Sequence, residues 1–298
     1  MGVPPRRGVR VLREAETSAD PLWQHCRAAA LVLPASAAFS HETAAHLGGW
    51  SGPMRPEHAR PLSPGRSTPV GTTVTHVSVP AGPTRPRAKG IRTHQVTWRD
   101  GDVMVRGGLR LTSPWRTWCD LGATGADEVD LLILADALRR RYPRDGAARL
   151  AARLEQWRGG RGVNRLRRVL ALSRDGVDSP METRVRLIFR AGGLPEPLVN
   201  HQIRLPHGGP LHRPDLCWPR WKVAADYDGG HHFERDSDAA VISGRASNWR
   251  IRQDQARAEL LAQEGWTLRV FTAYDVFVDP DAAVMRMRDA LIRAGARL

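Results

Sequence analysis

Two apolar runs, Arg213–Trp218 and Lys222–Asp228, are separated only by Pro219-Arg220-Trp221. A parallel return within one sheet needs a crossover of a dozen or more residues, so two strands joined by three residues must lie side by side and antiparallel. That hairpin constrains everything around it. Upstream, Ser179-Pro180-Met181-Glu182 supplies a cap, a first-turn proline and an acid at the third helical position, which predicts a helix to about Ala191 that stops at Gly192-Gly193. Val199–Leu205 reads as a further strand. Downstream come a polar loop over Arg235–Ser247, a helix over Asn248–Glu264 closed by Gly265, a strand over Trp266–Phe271 and a last helix opened by Asp279-Pro280. The expected order is α-β-β-β-α-β-α.

The preceding half has a different texture. Ala-rich Cys26–Leu33 is stopped by Pro34, and Ser40 is placed to cap a short helix, His41–Leu47, that ends at Gly48-Gly49. Gly52–Gly71 is rich in Pro, Arg, Ser and Gly without periodicity and reads as an exposed loop. Thr73–Val79 alternates strictly, and Gly90–Val96 and Val103–Leu111 read as extended, with turns at Asp100-Gly101 and Gly107-Gly108. Thr112-Ser113-Pro114 opens a helix through Leu121, and Asp127–Arg141 and Ala147–Trp157 carry the helical period. Gly159–Gly162 is the best linker, and Asn164–Ser173 is an amphipathic helix bridging the halves. The expected division is an N-terminal region over 1–158, a linker and bridging helix over 159–178, and a C-terminal domain over 179–298.

Basic residues outnumber acidic ones by 45 to 31, a formal charge of +14, the footprint of a partner for polyphosphate. Nearly all the cations are Arg, with Lys89 and Lys222 the exceptions, and Ala, Gly and Pro are abundant. A GC-rich coding sequence produces the same excess, so the charge favours nucleic acid without naming a chemistry. Cys26, Cys119 and Cys217 lack the paired spacing of zinc sites and the density of disulfide scaffolds, and read as reduced, buried thiols. Met1–Asp20 carries no apolar run of signal-peptide length, and no stretch reaches the roughly 18 apolar residues of a membrane span. The expectation is a cytoplasmic chain with DNA as its partner and no membrane.

The chemistry gathers in the hairpin. Side chains alternate along a strand, so Asp226 and Asp228 share one side, with Val223, Ala225 and Tyr227 on the other. Asp215 lies on the strand before, at a separation that a short antiparallel hairpin closes to neighbouring ladder positions. Carboxylates brought together raise one another's proton affinity unless a cation is present, and oxygen ligands suit Mg²⁺ or Mn²⁺ rather than zinc. Such an ion polarises a scissile phosphate and lowers the pKa of an attacking water. His231 and His232 follow Gly229-Gly230, a flexible break that can turn an imidazole back over the acids. Asp254 and Arg257 sit three apart on the next helix, where both can face the sheet or simply pair with each other.

Some of these residues have plainer readings. Glu182 occupies a capping-box position, and Asp228 precedes a glycine pair where turn chemistry suits an Asp. His41 and His46, five apart, do not share a helical face and read as structural. Trp218, Trp221 and Trp266 fall on or beside the predicted sheet, where packing is the default.

Pro214-Asp215, Asp226-Tyr227-Asp228-Gly229 with His232, Asp254 and Arg257, and the strand entry Gly265-Trp266 resemble the very short patch repair endonuclease-like branch of the PD-(D/E)XK nuclease superfamily, over about Ser179–Tyr274. By that resemblance Asp215 is the proline-preceded acid that binds metal, Asp226 the second acid, Glu182 the acid of the first helix and His232 the histidine near the metal. The second acid is Asp226 where the pattern more often has Glu, and Asp228 stands where a lysine is expected. More weakly, Ser40-His41-Glu42-Thr43-Ala44-Ala45 and Thr112-Ser113-Pro114-Trp115-Arg116-Thr117 resemble AbiEi-type antitoxin-like proteins, whose upstream regions carry a winged-helix DNA-binding module. The expected fold class is α/β in the α+β sense: a restriction-endonuclease-like mixed sheet flanked by helices, preceded by a smaller helical or winged-helix-like domain with a short sheet.

The resemblance implies a Mg²⁺- or Mn²⁺-dependent endonuclease that hydrolyses DNA phosphodiester bonds. In it Asp215, Asp226 and Glu182 hold the metal, Asp228 supports them, His232 manages protons, and Arg213, Lys222 and Arg257 contact DNA. The alternative is a non-catalytic DNA-binding regulator, antitoxin-like, with a degenerate nuclease domain.

Overall fold

The computed structural model describes residues 20–50, 74–82, 85–204, 212–229 and 255–298. The chain is a mixed α and β protein with two mixed sheets and divides into two compact units, Met1–Ser173 and Arg174–Leu298. His231, His232, Asp254, the Gly52–Gly71 loop and the Arg235–Ser247 loop lie outside the described residues. No helix among the described residues is long and apolar enough to cross a membrane.

The first unit holds helices α1 (Pro21–Ala30), α2 (His41–Gly48), α3 (Pro114–Thr124), α4 (Glu128–Arg141), α5 (Gly146–Gln156) and α6 (Val163–Leu172). Its strands are β1 (Ala38–Phe39), β2 (Thr75–Pro80), β3 (Ile91–Val96), β4 (Val103–Arg106) and β5 (Leu109–Thr112), in the spatial order β3-β2-β1-β5-β4. β2 and β3 are parallel, as are β1 and β5. Gly107 and Gly108, both at positive φ, make the tight β4–β5 hairpin. Two residues of β1 stitch the two strand pairs into one sheet, and nothing in so short a segment betrays it in the sequence. Ser113 and Asp127 cap α3 and α4 through their side chains, whereas the Ser40 hydroxyl, placed at the start of α2, makes no cap bond. Helix α6 packs on α3, α4 and α5 within this unit.

A charged network sits inside the first unit. The Arg116 guanidinium meets Asp102 and Asp120, each at 2.7 Å, and Arg153 reaches the other oxygen of Asp102 at 2.7 Å. The rings of Trp98 and Trp157 lie about Arg116 at 5.3 and 5.1 Å. All four charged groups are buried. Burial outweighs the cations at Asp120 and pushes its pKa up to about 6.

In the second unit, α7 (Pro180–Ala191) is followed by β6 (Leu198–Val199), β7 (Leu216–Trp218), β8 (Val223–Tyr227), helix α8 over 255–263, β9 (Thr267–Phe271), α9 (Ala273–Phe277) and α10 (Pro280–Arg293). The sheet order is β6-β7-β8-β9, with β8 antiparallel to β7 and parallel to β9. Val185 and Phe189 of α7 pack with Leu216, Trp218, Val223, Ala225, Phe271 and Met287 in one buried cluster, against which Tyr227 also lies. The first strand is shorter than its apolar pattern suggests because Asn200 turns left-handed at φ 49°, leaving one bridge, Ile203 to His212, beyond it. The next begins late because Pro214 has no N–H to donate. Helix α9 also escapes the sequence pattern; it is a single capped turn held by reciprocal Thr272 and Asp275 bonds.

Removing Arg116 leaves Asp120 and one oxygen of Asp102 buried without their cation. Arg116→Ala is expected to lower the stability of the first unit by about 3–5 kcal/mol, read as a shift in the denaturant midpoint. A midpoint within error of the wild type would show that the network contributes nothing.

Candidate functional site

Continuing the β7/β8 register from Leu216 opposite Ala225 places Asp215 directly opposite Asp226. Because side chains alternate, both point away from the face that buries Leu216, Val223 and Ala225. Each carboxylate accepts a main-chain N–H from the neighbouring strand: Asp215 N–H donates to Asp226 Oδ1 (3.1 Å) and Tyr227 N–H donates to Asp215 Oδ2 (2.7 Å). This exchange extends the ladder past its last regular pair. It holds the two acids together.

Glu182 joins from the first turn of α7. Ser179 caps that helix, accepting from Glu182 N–H (3.2 Å), and the Glu182 Oε2 accepts from Asp178 N–H (2.9 Å) and Asn200 Nδ2 (2.6 Å). The side chain thus folds back as a helix cap and also faces the acids, since Asp215 is among the charges that act on it. Burial raises the Glu182 pKa, helped by Asp215 and opposed by the N–H it accepts from Asp178. Burial, against the Tyr227 N–H and together with Asp226 and Asp178, pushes Asp215 up to about 6. Two of the three acids therefore resist ionising in the folded chain, as expected of carboxylates gathered in a partly desolvated place.

His212, which the sequence pattern does not single out, enters from the Ile203 bridge. Its Nε2 lies 3.7 Å from Asp226 Oδ2, beyond hydrogen-bond range, and is buried with no hydrogen-bond partner among the described residues. Burial, aided by the Arg257 charge, holds its pKa down at about 4. Its neutral imidazole therefore turns this unpartnered nitrogen toward Asp226. No sequence signal singles His212 out: three positions before Asp215, strict alternation would put it on the opposite face, and it is the Ile203 bridge that brings it to Asp226.

The remaining predicted residues scatter. Arg213 donates through Nε to the Asn200 carbonyl (3.0 Å) and through Nη1 to Asp178 (2.7 Å), forming the rim beside Glu182. Arg257 is exposed on α8 and close enough to His212 to act on it. Asp228 follows β8, its N–H donating to the Phe271 carbonyl (2.8 Å). Lys222 lies at the opposite end of β8, its Nζ donating to the Glu264 carbonyl (2.9 Å) that closes α8. There it lines, with Arg220, Arg269 and Arg293, a basic recess of about 600 Å³. That recess is remote from the acids along the strand.

Oxygen donors from Asp215, Asp226 and Glu182, with the unpartnered His212 nitrogen beside them, suit a hard divalent ion. Among the described residues, however, the group whose ligand atoms already lie within 4.8 Å of one another is a different one, His41, His76 and His94 of the first unit.

Comparison with known proteins adds relatives without adding a function. No family model matches the chain, and no solved structure matches it. It is 28% identical, over 224 residues, to uncharacterized proteins from two strains of Mycobacterium tuberculosis, a match covering 75% of this chain and 76% of each of those proteins.

An acid whose folded-state pKa is raised is most stabilising when protonated: its contribution is complete below about 4 and is lost as pH rises through about 6. Asn keeps the acceptor for Tyr227 N–H and carries no charge. Asp215→Asn is therefore expected to be more stable than the wild type at about pH 8 in EDTA, by about 1–3 kcal/mol. The gap should close at about pH 4. Thermal unfolding at the two pH values measures it, and a gap that does not depend on pH would exclude a raised Asp215.

Proposed function

We propose that the second unit is a metal-dependent endonuclease acting on DNA phosphodiester bonds in the cytoplasm. The observation that supports this most is the cross-strand pair Asp215 and Asp226, backed by Glu182, with an unpartnered His212 nitrogen at its edge. The resemblance of Pro214-Asp215 and Asp226-Tyr227-Asp228-Gly229 to the very short patch repair-like nucleases points the same way.

In this reading Asp215 and Asp226 hold Mg²⁺ or Mn²⁺, with Glu182 behind Asp215; when bound, the ion supplies positive charge at the scissile phosphate and lowers the pKa of a water. The protein supplies the rest. The two main-chain N–H bonds orient the carboxylates before any ligand arrives, which lowers the side-chain entropy lost on binding. Asn200 and the Asp178 N–H fix Glu182 in one rotamer. Neutral His212 presents Nε2 beside Asp226, where it can orient a water or take its proton, sharing that role with His232. Arg257, exposed next to His212, and Arg213 at the rim are placed to meet phosphate oxygens.

A second reading keeps the DNA and drops the cleavage. Asp228 stands where the nuclease pattern has a lysine, and both Asp215 and Asp226 already give an oxygen to a main-chain N–H. A DNA-binding regulator with a degenerate nuclease unit accommodates both facts.

Supercoiled plasmid incubated with purified protein separates the readings. Nicking that requires Mg²⁺ or Mn²⁺, disappears in Asp215→Ala and falls by at least tenfold in His212→Ala is the expected result. Equal cleavage by Asp215→Ala removes the site assignment. Salt-sensitive DNA binding with no cleavage under any metal favours the regulator.

A further inference from the structure

The first unit contains a second constellation that the nuclease proposal does not use. His41 opens α2, His76 lies on β2 and His94 on β3. The parallel β2/β3 register sets His76 opposite Arg92 and Ser78 opposite His94, so the two histidines are diagonal neighbours on one face. His76 Nδ1 and His94 Nε2 share a hydrogen bond of 3.0 Å, whose proton a bound cation would replace. The His41 ring stacks on His94 with centroids 3.9 Å apart and lies 5.2 Å from His76. Each of the three offers one ring nitrogen, and those atoms lie within 4.8 Å of one another.

The surroundings orient these rings. His41 Nδ1 is bonded to Ser40 Oγ (2.9 Å), which also accepts from Ser78 Oγ (2.8 Å). The nitrogen left to face the cluster is therefore Nε2. His76 Nε2 lies 3.4 Å from Glu42 Oε2, which leaves Nδ1 toward His94. One ring nitrogen held by a hydroxyl or carboxylate while the other turns inward is the usual outer shell of a metal-bound histidine. The His76 main-chain N–H is in turn fixed by Thr43 Oγ1 (2.9 Å).

His41 adopts φ 54°, a left-handed conformation that costs a non-glycine residue energy and that persists where its neighbours over-determine it. Here it is what aims the first side chain of α2 back at β2 and β3. Burial holds all three imidazoles below the ordinary histidine range, His41 at about 2 and His76 and His94 at about 4, so each is neutral, the form that ligates. His41 and His76 are buried and His94 is half-buried.

We infer that His41 Nε2, His76 Nδ1 and His94 Nε2 form a binding site for a late first-row divalent cation of the Zn²⁺ class, with Glu42 as the outer carboxylate and a fourth position open. At a Zn–N length of about 2.0–2.1 Å, tetrahedral ligands sit roughly 3.4 Å apart. The His76–His94 pair is already near that spacing, and the His41 nitrogen, within 4.8 Å of both, closes the rest by side-chain rotation. Three imidazoles with no carboxylate in the inner shell select zinc-like ions over Mg²⁺, the opposite preference to the acids of the second unit. The open fourth position is the arrangement that catalytic zinc sites keep for water or substrate.

The test uses the full chain without a histidine tag, stripped with EDTA and titrated calorimetrically with Zn²⁺ alone. Tight uptake of Zn²⁺ that persists in Asp215→Ala, weakens by at least a hundredfold in His94→Ala and weakens by ten- to a hundredfold in Glu42→Gln is expected. Co²⁺ added to the wild-type chain should give the visible ligand-field bands of a four-coordinate site, a readout that needs no variant and survives any folding defect in His94→Ala. No Zn²⁺ uptake, uptake unchanged in His94→Ala, or Co²⁺ without those bands overturns the proposal. Because Asp215→Ala is the parallel arm, failure of nuclease activity and failure of this site are read separately.

Discussion

The candidate site in the second unit rests on one exchange: the Asp215 N–H bonds the Asp226 carboxylate while the Tyr227 N–H bonds that of Asp215. An ordinary ladder would pair main chain with main chain, but the interruption at Pro214 ends that pattern just where the two acids stand. Side-chain oxygens take over the role of carbonyls. The consequence is a pair of acids held face to face where the two inner strands end, with burial and mutual repulsion raising Asp215 to about 6. Such an arrangement costs stability at neutral pH.

The acids are built in from several elements at once. Glu182 is presented by a capped helix start, Asn200 by a left-handed kink that also cuts β6 short, and His212 by the single bridge beyond that kink. Arg213 ties Asp178 to the Asn200 carbonyl and closes the rim. None of these is a strong feature alone. Their value is positional, because each element's irregularity turns a side chain toward the same place.

The first unit solves a different problem. Arg116 is buried with Asp102, Asp120 and Arg153, and the rings of Trp98 and Trp157 lie against it. A network with its charges matched fixes how α3 and α5 meet the loop before β4. Ser40 illustrates how position and chemistry can part: it stands at the cap position of α2, but its hydroxyl belongs to His41 and Ser78. His41, which looks structural when compared only with His46, gains its meaning from two strands that are distant in the chain.

Much of the architecture was legible from the chain alone. Proline-led and serine-capped helix starts at Ser113-Pro114 and Ser179-Pro180, a strand in the Thr73–Val79 region (found at Thr75–Pro80, though buried along most of its length rather than on alternate residues), the three-residue hairpin turn and the α+β class all follow from local sterics and hydrogen bonding. The same rules put Asp215 and Asp226 on neighbouring strands, since the number of residues between them sets the register. What the sequence could not reveal were contacts whose partners lie far apart in it: the two-residue β1 that unites a five-stranded sheet, His212 beside Asp226, and three histidines brought together by a parallel β2/β3 pair and a left-handed His41. Local patterns encode what a residue does to its own backbone, whereas the meeting of distant side chains depends on how whole elements pack, and only the tertiary structure decides that.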